Sequence, residues 1–227
     1  MGTGTVLPGV SSIANGYARL MTTSEKPLHA LLLNCTLTPS PDGSSTEVLG
    51  RQVLDALAEH GVTGEAIRVV DHDVKPGVQA DMGDGDAWPS IREKVLGADI
   101  LVLGTPTWLG QHSSVCQRVL ERLDAELSET DDEGRMPTFG KIALTAVVGN
   151  EDGAHHITAV LFQALNDVGF TVPANAGVYW NGEAMSGTDY KDLEKTPETV
   201  TSVLKTMSAN AVHLATLLGR AQYPPAG

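Results

Sequence analysis

The sequence predicts an α/β protein: a doubly wound parallel sheet with helices on both faces. Three observations carry that reading. Strand-like and helix-like segments alternate along the whole chain, which calls for parallel strands joined by helical crossovers. The clearest strand, Asp99–Gly104 ("DILVLG"), is apolar without alternation, as a strand covered on both sides should be. The chain closes on a long segment in which Val200, Val203, Leu204, Met207, Ala211, Leu214 and Leu218 share one helical face.

Taken in order, Leu28–Thr36 reads as a first buried strand. From Ser45 the period becomes helical, with Leu49, Val53 and Leu57 four residues apart and Gly61 as a stop. Glu65–Val70 reads as a second strand, and Val74–Trp88 as a polar, glycine-bearing excursion. Pro89 suits the first turn of a helix running to about Leu96. After Asp99–Gly104 comes the loop "TPTWLGQHSS" and a helix over Val115–Leu127. Lys141–Gly149 is the fourth strand, "NEDGAHH" a turn, and Ile157–Val168 a helix ended by Gly169. "FTVPANAGVYW" holds a short fifth strand interrupted by Pro173. In the last helix Thr196 is the expected cap, Pro197 the first helical residue and Gly219 the stop.

The 227 residues suit one domain of this class, assigned here to 28–227, with 1–27 as an N-terminal extension. That extension lacks a basic leader followed by an apolar run, so it reads as a mobile arm or a segment docking on a partner subunit, not as a signal peptide. A net charge of −13 disfavours nucleic acid and anionic membranes, both of which call for Lys and Arg. Only two cysteines, Cys35 and Cys116, and no apolar run of about 20 residues point to a reduced, cytoplasmic setting.

In such a sheet, ligands sit beyond the carboxyl ends of the strands. Three loops leave those ends: Asn34–Thr46, Gly104–Ser114 and Gly149–His156. The first leads into a helix N-terminus, whose free N–H groups and positive dipole end suit a phosphate. Thr36, Ser44, Ser45 and Thr46 would add hydroxyls, and no lysine lies in the loop. The alternative for Ser44–Thr46 is plain helix capping. In the second loop Trp108 could stack on a planar ring or could simply pack in the interior. Signatures of other chemistries are absent: no GxxxxGK[ST], no complete GxGxxG, no GxSxG, and no acidic residues at the loop positions of a receiver domain. Asp71–Asp73 and His155–His156 lack metal-ligand spacing, so no metal is expected.

These loops resemble those of the flavodoxin-like NAD(P)H-dependent FMN reductases and quinone oxidoreductases. "LNCTLTPSPDGSST" is similar to that family's L-N-G-S-P-R, spacer, G-N-T, with Cys35 in place of glycine and a longer spacer. "ADILVLGTPTWLGQHSSVCQRVLERLD" is similar to its second loop and following helix. Pro106, Trp108 and Gly110 match, Glu121-Arg122 stands for Asp-Arg, and Gln117 replaces a lysine. "VVGNEDGAHH" is similar to the turn beside the flavin. The resemblance spans Leu28–Asn181 and implies a five-stranded sheet of order 2-1-3-4-5 with bound FMN. The phosphate would lie on Thr36, Ser44, Ser45 and Thr46. The ring would lie against Pro106, Thr107, Trp108, Leu109 and Gly110, and against Gly149, Asn150 and Gly153. It also implies a homodimer or homotetramer.

The function expected on that basis is transfer of hydride from NAD(P)H through FMN to a small acceptor such as a quinone or free flavin. Main-chain N–H groups at Leu109–Gly110 and Gly149–Asn150 would face developing negative charge. His155 is the candidate catalytic proton donor, the alternative being capping or solvent exposure. Two other functions share the fold: an FMN electron carrier docking on a redox partner, and a cofactor-free binding module.

Overall fold

The computed structural model describes residues 27–183 and 187–225, so the expected N-terminal extension, except for Pro27, lies outside the described residues. The elements run β1 (His29–Asn34), α1 (Ser45–Ala58), β2 (Thr63–Arg68), α2 (Trp88–Gly97), β3 (Ile100–Trp108), β4 (Gln111–His112), α3 (Ser114–Leu123), β5 (Ile142–Gly149), α4 (Ala154–Asp167), β6 (Gly177–Asn181) and α5 (Glu198–Arg220). The parallel strands lie in the order β2-β1-β3-β5-β6, and the short β4 pairs antiparallel with the end of β3. Counting the parallel strands alone, this is the expected 2-1-3-4-5 order. The addition is β4.

The apolar runs divide cleanly between the two faces. Leu31, Leu33, Leu101, Leu103, Ala143 and Val147 point to one side, where Ile91, Val95, Val119, Leu123, Ile157 and Leu161 of α2, α3 and α4 cover them. Ala30, Leu32, Ile100, Val102, Leu144 and Ala146 point to the other, under Leu49, Val53 and Leu57 of α1 and Leu204, Met207 and Ala211 of α5. A strand between two helical layers needs an apolar side chain at every position, and burial of each such Leu or Val contributes about 1.5–3 kcal/mol. Ser44 starts α1 by accepting the N–H of Glu47 at 3.1 Å, and Ser113 starts α3 by accepting that of Cys116 at 3.0 Å.

The structure departs from several expected boundaries. β2 begins at Thr63 and gives way at Val69–Asp71 to a 3-10 turn, so Val69 and Val70 are outside the strand. β3 does not stop at Gly104. It continues to Trp108 and turns back as a hairpin. The third helix ends as regular α at Leu123 and tightens to 3-10 geometry over Asp124–Ser128. The turn before α4 is shorter than expected, and that helix starts at Ala154. The fifth parallel strand is Gly177–Asn181 only. Before it, Thr171 makes a lone bridge to Ile142. Pro197, with extended ψ of 141°, is the cap of α5 rather than its first helical residue. Thr196 does not cap, since its hydroxyl accepts a hydrogen bond from Gln52. The same helix runs through Gly219 to Arg220.

The Val74–Trp88 excursion is held to α3 by two arginines, Arg118, which donates to the Val74 carbonyl at 2.9 Å, and the buried Arg122. Arg122 donates to the carbonyls of Lys75 (3.0 Å) and Gln79 (2.8 Å), meets Asp86 at 2.8 Å and lies 5.6 Å from the Trp88 ring. It sits near the C-terminal end of α3, away from the carboxyl ends of the strands.

Candidate functional site

The first loop is shaped from within and from β2. Asn34 at the end of β1 accepts the N–H of Thr36 at 3.1 Å through its side-chain oxygen, and Thr36 accepts that of Thr38 at 3.3 Å. Arg68, at the end of β2, donates to the carbonyls of Thr38 (3.3 Å) and Asp42 (2.8 Å) and pairs with Glu47 in the first turn of α1. Burial opposes ionisation of Glu47, but Arg68 and Arg51 outweigh it and hold its carboxyl below the usual range. Thr46 is buried, with its methyl group against Gly104 of β3. The loop therefore meets the α1 N-terminus in a fixed shape.

The second loop is tied to the first by Ser113. Its hydroxyl donates to the Cys35 carbonyl at 2.6 Å, and its N–H donates to Thr105 at 3.0 Å. Beyond Pro106 and Thr107, the strand pairing Trp108 with Gln111 leaves Leu109 and Gly110 as a two-residue turn, with φ of 52° and 73°. Positive φ at a leucine is strained, and strain of this kind clusters at binding sites. The third loop closes on that turn. Gly153, at φ 128°, lies so near Gly110 that a β-carbon on it would fall 2.7 Å from the Gly110 Cα. Glu151 reaches across to accept the Leu109 N–H at 2.7 Å. Asn150 donates its side-chain amide to Asp189 at 2.9 Å.

The structure thus brings the three predicted loops to one rim. Thr36, Ser44, Ser45 and Thr46 lie at the β1–α1 end, Pro106–Gly110 form the hairpin, and Gly149, Asn150 and Gly153 form the facing turn. Individual roles change. The Ser44 hydroxyl is engaged as a helix cap, as the alternative reading held. The Leu109 N–H is already taken by Glu151. Trp108 is not packed inside: it is 56% exposed, beside Leu109 at 91%. His155 is exposed and shares a hydrogen bond of 3.0 Å with the Tyr179 hydroxyl, while the neighbouring His156 meets Gln111 at 3.2 Å. Burial and contact with Cys116 push the Cys35 thiol well up, so it stays protonated beneath the rim.

Sequence reasoning missed Arg68, Asn150's partner Asp189, and Lys191, whose N–H donates to the Ser45 hydroxyl at 3.2 Å. Only the fold brings these to the loop. Asn34 entered the sequence reading only as the first residue of that loop. Its amide nitrogen, and the Thr107 hydroxyl, are buried without a hydrogen-bond partner at the carboxyl ends of β1 and β3. Buried polar groups in folded proteins are nearly always hydrogen-bonded, so two without partners at neighbouring strand ends call for an explanation. Two cavities flank this region, the first of them sharing Asn34, Ser40, Glu47 and Arg68 with the first loop and its supports. One, of about 380 Å³, wraps the β2 edge beside Arg51 and Lys94, and one, of about 500 Å³, separates α1 from α5.

Comparison with known proteins bears on the same loops. The family described as NADPH-dependent FMN reductase matches residues 30–184, which include all three. The chain belongs to that family. Among relatives of this FMN reductase family member, the 8-demethyl-8-aminoriboflavin-5'-phosphate synthase of Streptomyces davaonensis is 34% identical over 86% of this chain and 80% of its own. The crystal structure of RosB with bound intermediate 8-demethyl-8-formylriboflavin-5'-phosphate superposes with a TM-score of 0.78 at 34% identity, covering 86% of this chain and 82% of that one. A Mycobacterium bovis protein named divalent metal cation transporter MntH is 38% identical over 84% of this chain, which spans only 29% of that protein's length. Among the described residues no helix is long and apolar enough to cross a membrane, and no group of three or more His, Cys, Asp or Glu is placed to hold a metal. The fold of this family member is flavodoxin-like.

Proposed function

We propose that this FMN reductase family member binds FMN at the three-loop rim and catalyses two-electron transfer from NAD(P)H to a small acceptor such as a quinone or free flavin. The observation that carries the reading is the meeting of the Leu109–Gly110 turn with Gly153, just beyond the buried, unpartnered hydroxyl of Thr107 on the same strand. The residues fit the cofactor. The α1 N-terminus with Thr36, Ser45 and Thr46 would hold the phosphate. Trp108 and the glycine-backed turns would hold the ring.

FMN, when bound, supplies the redox chemistry, accepting electrons from the nicotinamide and passing them on. The chain's own contribution is placement, charge and exclusion of water. Main-chain N–H groups of Gly110, Gly149 and Asn150 would be the remaining donors for negative charge at the ring edge, because Glu151 occupies that of Leu109. His155 would deliver a proton to a bound acceptor from a position set by Tyr179. The exposed Trp108, Leu109 and Tyr179 would be covered by the ring, the nicotinamide or a second copy in a homodimer or homotetramer. Two free, buried thiols suit the reducing cytoplasm.

A second reading has support in the two relatives that carry riboflavin-5'-phosphate derivatives in their names. In it the flavin phosphate is a substrate modified at the same rim rather than a resident carrier. The experiment separating the readings is to purify the chain, record its visible spectrum, and follow NAD(P)H oxidation with a quinone. Turnover with the flavin recovered unchanged supports the reductase, and a flavin converted to a new species supports the second reading. A colourless protein that binds no added FMN would overturn both.

A further inference from the structure

We propose that Lys191 reads the flavin phosphate, as a cation delivered to the first loop from far along the chain; this rests on the flavin-phosphate site proposed above. Read alone, the first loop offers only neutral donors to an anion. The structure adds a cation to it. Tyr190 is buried, its hydroxyl donates to Gln52 of α1 at 2.5 Å, and its ring lies 5.3 Å from that of Trp180. This anchors the turn Tyr190–Asp192 along the start of α1. Lys191 is thereby laid across the loop. Its N–H donates to the Ser45 hydroxyl at 3.2 Å, and a β-carbon on Gly43 would sit 3.4 Å from its Cδ and 3.7 Å from its Cε. The lysine stem thus runs within contact range of the loop backbone at Gly43.

The head group is positioned as well. The ammonium donates to Asp189 at 2.8 Å and to Asp192 at 2.9 Å, and Asp189 is itself held by Asn150 of the third loop at 2.9 Å. An ammonium has three N–H donors, so one remains for an anion. The two carboxylates raise the affinity of Lys191 for its proton, Asp189 foremost, so the charge persists. Ser45 also gains a role. Because its oxygen accepts from Lys191, its own proton is free to donate to the same anion. The buried amide nitrogen of Asn34, which has no hydrogen-bond partner, lies at the start of the same loop and calls for a partner there. A cation fixed in this way distinguishes a phosphorylated flavin from an unphosphorylated one.

The test is titration of the flavin-stripped full chain with FMN and with riboflavin. Lys191→Met is expected to weaken FMN by about tenfold, the loss of one charge-assisted hydrogen bond, and to leave riboflavin within about twofold. Lys191→Arg should restore most of the FMN affinity, and added salt should weaken FMN binding to the native chain more than to Lys191→Met. Equal loss for both flavins would make Lys191 a structural strut and overturn the assignment, as would no loss for either. If the native chain binds neither flavin, the underlying site reading fails, and that result is told apart because it needs no variant.

Discussion

Gly153 and Gly110 touch through their backbones, from turns that follow different strands. A β-carbon added at Gly153 would lie 2.7 Å from the Gly110 Cα and 3.0 Å from its carbonyl oxygen. Backbone cannot yield as a flexible side chain can, so the two loops hold this spacing only while position 153 is glycine.

Gly153→Ala should therefore part the hairpin from the third loop. Its φ of 128° adds conformational strain of about 1–3 kcal/mol to the clash. Gly110→Ala is the informative comparison: its φ of 73° is strained for alanine, but a β-carbon there meets nothing within 4 Å. The expected outcome is a fall in Tm of roughly 5–10 °C for Gly153→Ala with loss of bound flavin, and a fall about half as large for Gly110→Ala. Thermal unfolding followed beside flavin absorbance checks both.

Trp108→Ala separates binding from stability. The indole is 56% exposed, so its loss should change unfolding free energy by no more than about 0.5 kcal/mol. If it stacks on the flavin ring, the variant should release flavin on purification and bind it roughly tenfold more weakly. A Trp108→Ala protein that remains fully yellow would remove the stacking role.

Asp86 and Arg122 give a pH prediction. Burial opposes ionisation of Asp86, yet the N–H groups of Met82, Trp88 and Lys75 and the Arg122 guanidinium overcome it and bring its pKa to about 2. An unfolded aspartate titrates near 3.9. The stabilisation is thus complete above about pH 4–5 and is lost as pH falls through about 2, amounting to about 2.5 kcal/mol. Denaturant unfolding from pH 6 to pH 2 should show a decline that flattens in Asp86→Asn, which is already weaker at neutral pH. Arg122→Met, leaving a buried carboxylate unpaired, should cost about 3–5 kcal/mol at pH 7.

The layout was legible wherever burial on two faces forces every residue to be apolar, as at Leu31–Leu33 and Leu101–Leu103. The three loops were legible because strands end where those runs end. The hairpin was not. Its turn needs positive φ at both central residues, which Asn-Gly would have announced and Leu109–Gly110 does not. The cap of α5 was misplaced by one residue, because Thr196 had a competing partner in Gln52 on another helix. Arg68 and Lys191 carry no local signal at all: each acts on the first loop from a different element, and only the packed sheet brings them there.

His155 is the candidate whose role geometry narrows most. It lies in the first turn of α4, exposed, with its ring edge-on to Tyr179 at 5.0 Å between centroids and the two side chains joined at 3.0 Å. Its contact with Tyr179 is exposed, so His155→Ala should change unfolding free energy by no more than about 0.5 kcal/mol and leave flavin affinity unchanged. If it delivers the proton to a reduced acceptor, turnover with a quinone should fall about ten- to a hundredfold, while turnover with a one-electron acceptor that needs no proton should not. Tyr179→Phe keeps the ring contact and loses only the hydrogen bond, so its effect should be smaller, within about tenfold, and of the same kind. Equal loss with both acceptors would place His155 in nicotinamide binding instead, and no loss with either would leave it a solvent-facing residue of the helix.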